Sequence, residues 1–146
     1  MRLEPDLSLQ KPLEDYVEFI DRLNTRSIPL LPNFVSPLFS FQDPYHHVKG
    51  VSEACDVLMR RFDLYPDARY RVSDFVWGRR EATAYLFWSL RFKTWKGLMV
   101  KRNSEDTILE GMSELKFTPE GEVYSHSDFW GVHDRFNVRA YKRDFS

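Results

Sequence analysis

The chain has 146 residues, of which 42% are hydrophobic and 16% aromatic, and its 21 basic and 22 acidic residues leave a net charge of −1. That length suits one domain able to bury roughly two thirds of its unfolded surface. The balanced charge gives no general attraction for phosphate backbones or anionic lipid, so neither nucleic acid nor membrane is an expected partner.

Cys55 is the lone cysteine, which excludes a disulfide within the chain and fits a reducing, cytoplasmic setting. The stretch Met1 to Asp6 lacks the apolar run of an export signal, and nowhere do about 18 apolar residues follow one another. Arg135, Arg139, Lys142 and Arg143 read as a solvated tail.

The first element is a helix over residues 12–24, where Leu13, Tyr16, Val17, Ile20 and Leu23 follow Pro12 at helical spacing and put Tyr16 on the buried stripe. Between Ser27 and Pro37 three prolines forbid a long helix, so short turns should feed an extended piece, Leu38 to Asp43. Phe39, Phe41 and Asp43 then share one face. After Gly50, the residues Val51, Ala54, Cys55, Leu58, Met59 and Phe62 define a second amphipathic helix, with Ser52 as its expected cap.

From Ala68 onward β-branched and aromatic residues predict strands over 68–77 and 82–95, parted by Gly78-Arg79-Arg80. In the second of these, Ala82, Ala84, Leu86, Trp88, Leu90 and Phe92 form the core parity. Tyr85, Phe87, Ser89, Arg91 and Trp95 form an unusually aromatic outer one. Residues 96–107 read as a loop, and Val132 onward shows no clear periodicity.

A hairpin turning at Pro119-Glu120-Gly121 comes between. Its first strand carries Leu109, Gly111, Ser113, Leu115 and Phe117 on the core side, and its second aligns Tyr124, His126, Asp128 and Trp130. Polar groups on core parity are a pocket signature. Two carboxylates there, Asp43 and Asp128, are expected to have acidity weakened by burial, which suits acid–base work. His46 and His47 are adjacent and point apart, no zinc-type spacing occurs, and no phosphate loop or nucleotide fingerprint is present, so neither metal nor cofactor is expected.

The series Phe41-Gln42-Asp43-Pro44-Tyr45-His46-His47-Val48-Lys49-Gly50, then a helix, then strands ending in Gly111-x-Ser113-x-Leu115-x-Phe117-x-x-x-Gly121-x-Val123-x-x-His126-x-Asp128-Phe129-Trp130, resembles the nuclear transport factor 2-like superfamily, and within it the SnoaL-like and ketosteroid-isomerase-like branch. The resemblance runs from about Leu13 to Trp130. It implies one SnoaL-like domain over 1–146 with its core at about 12–131: an α+β cone in which a curved, mostly antiparallel sheet wraps N-terminal helices around an apolar cavity. It also implies a homodimer through the sheet's outer face.

The same resemblance implies roles. Asp43 stands where ketosteroid isomerases keep the Asp that moves a proton, and Tyr16 is similar to their oxyanion donor. Ser113 takes the place of their second donor, a protonated Asp. Asp128 matches the last-strand Asp of limonene epoxide hydrolases, whose accompanying Arg and Asp have no clear counterpart, Arg91 being on the outer parity. The expected site is therefore Asp43, Tyr16, Asp128 and His126 as catalytic groups, with Phe41, Trp88, Ser113 and Trp130 against the ligand. The expected function is binding of a small apolar molecule, with cofactor-free isomerisation, cyclisation, dehydration or hydrolysis, or else a non-catalytic ligand-binding or dimerisation module.

Overall fold

The computed structural model describes residues 7–94 and 105–131. Its first helix, α1 (Gln10–Asp21), buries Leu13, Tyr16, Phe19 and Ile20 and carries Pro12 in its first turn, where a missing N–H does little harm. It ends earlier than the apolar spacing predicts. The Asn24 side chain accepts the amides of Arg26 (2.8 Å) and Ser27 (3.1 Å), a local turn that competes with helical bonding. A 3-10 turn over Ile28–Asn33 then leads into β1 (Val35–Gln42). That strand begins sooner than expected and tolerates Pro37 because its pairing with β6 (Val123–Trp130) is irregular between Val35 and Ser40.

A three-residue strand, β2 (His47–Lys49), folds back on β1 and was not legible in the sequence. Gly50 follows with φ of +107°, a conformation that favours glycine, and α2 (Val51–Leu64) starts directly after it. Ser52 therefore lies inside the helix and is not its cap. The remaining strands are β3 (Arg69–Trp77), β4 (Thr83–Thr94) and β5 (Glu105–Phe117), close to their expected positions.

Together they form a six-stranded sheet of order β2-β1-β6-β5-β4-β3, antiparallel except for the parallel β1–β6 seam. α1 packs against β3, and α2 against β1 and the 3-10 turn. The expected core parity holds: Ala84, Leu86, Trp88, Leu90 and Phe92 of β4 are buried, as are Leu109, Ser113, Leu115 and Phe117 of β5. On the other face, Phe87, Met112 and Phe129 pair side by side across β4, β5 and β6, and Phe129 is 51% exposed.

One expected face is corrected. Tyr124 is 41% exposed and does not share the side of His126 and Asp128, because Lys116 pairs with Ser125 while Phe117 pairs with Val123. Tyr124 is the extra residue of a bulge, which reverses side-chain parity on passing it. Trp95, the segment 95–104, the basic residues at 135–143 and everything from Val132 lie outside the described residues. Among the described residues no helix is long and apolar enough to cross a membrane.

Candidate active site

Each functional side chain arrives here for a local reason. Tyr16 sits on the apolar stripe of α1, Asp43 directly follows β1 and keeps the inward parity of Phe39 and Phe41, and Ser113, His126 and Asp128 take inward positions on the neighbouring strands β5 and β6. Ser113 and Asp128 are direct cross-strand partners. α2 supplies a residue that the sequence reading passed over. Arg61 follows Ala54 and Leu58 at helical spacing on the buried stripe and is only 5% exposed. A charged residue in register with an apolar stripe was the available signal.

Arg61 joins the two carboxylates. Its guanidinium donates to Asp43 Oδ2 (2.8 Å) and to the Tyr70 hydroxyl (2.7 Å), and lies 3.4 Å from Asp128 Oδ2. The ring faces of Phe41 and Trp130 flank it at 5.3 and 5.4 Å. Asp43 is heavily engaged: its Oδ1 accepts the amides of Tyr45 (2.8 Å) and His46 (2.7 Å) and meets His46 Nδ1 at 2.8 Å. These bonds close the turn between β1 and β2.

Asp128 stands at the other end. Its Oδ1 accepts from the Ser113 hydroxyl (2.6 Å) and from His126 Nε2 (2.7 Å), and Ser113 in turn accepts the Trp88 indole N–H (2.8 Å). A carboxylate can only accept, so Nε2 of His126 carries the proton. Nδ1 of the same ring lies 2.7 Å from the Tyr16 hydroxyl and, when it carries no proton, accepts the phenolic one. Burial, and secondarily the charge of Asp128, push the Tyr16 phenol well above its ordinary range, so it stays protonated. Tyr16, His126 and Asp128 thus form one continuous buried line.

The expected weakening of the two acids is corrected. Burial does push the Asp43 carboxyl up, but the His46 hydrogen bond, the Arg61 charge and the Tyr45 amide together hold it well below the usual carboxylate range. Asp128 is likewise pushed up by burial and pulled down further by His126, Arg61 and Ser113. Both are carboxylates at neutral pH. Neither is a proton donor there.

The eight residues expected at the site all lie at this one place, with Phe41 against the His126 ring (5.2 Å between centroids) and Trp130 against Trp88 (6.2 Å). The space among them is small. One void of about 20 Å³ is lined by Arg61, Tyr65, Tyr70, Trp88 and Trp130 among others, and one of about 10 Å³ by Tyr16, Arg61, Ser113, His126 and Asp128 among others. Each has room for about one water molecule. No cluster of three or more His, Cys, Asp or Glu side chains suited to a metal ion occurs among the described residues.

No family model and no curated protein matches the chain. Solved structures do. A protein assigned as a SnoaL-like polyketide cyclase from Jannaschia sp. CCS1 superposes with a TM-score of 0.70 at 10% identity, over 88% of this chain and 91% of that one. A steroid delta-isomerase from Pseudomonas aeruginosa gives 0.65 at 14% identity, over 99% and 93%. An NTF2-like protein of unknown function from Exiguobacterium sp. 255-15 gives 0.65 at 13% identity, over 84% and 99%. The chain has the nuclear transport factor 2-like fold. At such identities the likeness defines architecture, and the chemistry has to be argued from the side chains.

Proposed function

We propose that the chain is a cofactor-independent enzyme that removes and returns a proton next to a carbonyl of a small, largely apolar substrate, the chemistry of an isomerase or cyclase. One observation carries this reading: the buried line Tyr16–His126–Asp128 ends beside the cation Arg61. In the reaction, the substrate's C–H proton passes to the Tyr16 oxygen as the Tyr16 proton passes to His126 Nδ1. The resulting imidazolium lies against the Asp128 carboxylate, and this newly formed positive charge offsets the negative charge that develops on the substrate oxygen, Arg61 being already engaged by Asp43, Tyr70 and Asp128. Proton return to another carbon reverses each transfer and completes an isomerisation. Asp43, expected from the sequence to move the proton, is assigned instead to holding Arg61 and the turn after β1, because its oxygens are already occupied. The names of the isomerase and cyclase neighbours support the same reaction class.

The test is incubation with a panel of cyclic ketones in deuterium oxide, following exchange of carbon-bound hydrogen by mass spectrometry. The wild-type chain should catalyse exchange on at least one member, and Tyr16→Phe should lower it about 100-fold while the fold is retained. Exchange that survives in the Tyr16 variant would refute the relay.

The water-sized voids favour a second reading, a non-catalytic module in which the same network braces the cone. Absence of exchange across the panel, together with no ligand-induced stabilisation, would select it. In either case the apolar row Phe87, Met112 and Phe129 on the outer face supports assembly as a homodimer. Phe129→Glu should then yield a monomer by light scattering.

A further inference from the structure

The inner site has no surplus positive charge. Arg61 is already bonded to Asp43 and Tyr70 and lies against Asp128, so its single charge is met by two carboxylates. An anion entering it would lose its hydration and gain no free cation.

The surface outside is different. Between the chain leaving α1 (21–26) and the connection from α2 to β3 (62–70) lies an open groove of about 560 Å³, within the size range of ligand sites. It is lined on one side by Arg26 and on the other by Arg69, both exposed and neither in an ion pair with another described residue, and the exposed Asp67 lines it beside Arg69, so three arginines, Arg22 included, face two aspartates there. The neighbouring Arg22 is held by Glu18 (3.4 Å), and Asp21 is occupied by the Val72 amide (2.8 Å). The groove shares a wall with the interior. Tyr70 lines the groove and both inner voids, and Ala68 lines the groove and the larger void.

We infer that this groove is the vestibule of the site and seats a carboxylate at one end of the substrate, with Arg26 and Arg69 as specificity-determining residues. The substrate is accordingly an amphipathic keto acid, oriented with its neutral reactive end inward past Tyr70 and its anionic end on the two arginines. The inference rests on the reaction proposed above for its reactive end, but the groove can be tested separately.

The probes are naphthoate and its neutral methyl ester, with binding measured by calorimetry on the wild-type chain, Arg26→Gln, Arg69→Gln and the double variant. Naphthoate should bind more tightly than the ester and weaken with added salt, and the double variant should bind it roughly tenfold more weakly. Ester binding should change less than twofold. Failure of naphthoate to bind, or equal losses for acid and ester, overturns the vestibule. Deuterium exchange on neutral ketones is run alongside: normal exchange with unchanged naphthoate binding in the double variant defeats the groove alone. Charge-selective binding without any exchange leaves the groove standing and defeats the reaction.

Discussion

Replacing Arg61 with Met removes the guanidinium that lies between two buried carboxylates while keeping much of its apolar stem. Asp43 retains His46 and two backbone amides, and Asp128 retains His126 and Ser113, but Oδ2 of Asp128 loses both guanidinium contacts and the Tyr70 hydroxyl loses its donor. Breaking a buried ion pair from one side costs about 3–5 kcal/mol, which for a chain of this length lowers the melting temperature by roughly 10–16 °C. The pH dependence is diagnostic. In the wild-type chain both carboxyls titrate below their unfolded value of about 3.9, so the stability they contribute is present above that value and is lost as pH falls through their folded values. Without Arg61, burial is less opposed, their folded acidity weakens, and protonation relieves part of the cost. The gap between variant and wild type should therefore narrow as pH falls through the unfolded carboxyl value of about 3.9. Urea denaturation followed by tryptophan fluorescence measures both quantities. A loss under about 1 kcal/mol at neutral pH, or a gap that ignores pH, would refute the account of Arg61 as the bridge.

Ser113→Ala should cost about 1–3 kcal/mol in the same assay, since Trp88 Nε1 loses its acceptor and Asp128 its shortest donor; no loss would mean that neither bond matters. Gly111→Ala should destabilise by about 1–3 kcal/mol, because a Cβ there would lie 2.5 Å from two ring atoms of Trp88 and 2.9 Å from the Phe129 carbonyl. A variant as stable as wild type would show that Trp88 can move aside. Acid titration of the wild-type chain should show stability nearly level down to about pH 5 and falling steeply below about pH 4. A decline beginning near neutrality would point to groups other than these carboxylates.

The architecture was legible because its signals are periodic. The stripe through Leu13, Tyr16 and Ile20 and the alternation through Leu86, Trp88 and Leu90 each depend on one repeat length, and the structure buries those positions. Asp43, Ser113, His126 and Asp128 were legible for the same reason, as polar residues in register with apolar ones. Tyr124 was misplaced because a bulge is set by pairing with another strand and leaves no mark in a local alternation. Arg61 carries the same in-register signal on α2, but a stripe does not show its partners, which come from distant stretches of the chain: Asp43, Tyr70 and Asp128. The acidity of Asp43 and Asp128 was misjudged for that reason too: burial could be read from parity, whereas the opposing guanidinium could not.

The single parallel junction of the sheet brings Val35 beside Val123, so it closes the chain between those residues into a ring and carries the largest loop-closure entropy of any strand pairing in the sheet. Asp43 follows one side of that junction, Asp128 lies on the other, and Arg61 spans them. The groups that would do chemistry are thus also a rivet across the last gap to close, and a molecule missing that fastening loses its reaction centre before it loses its hairpins.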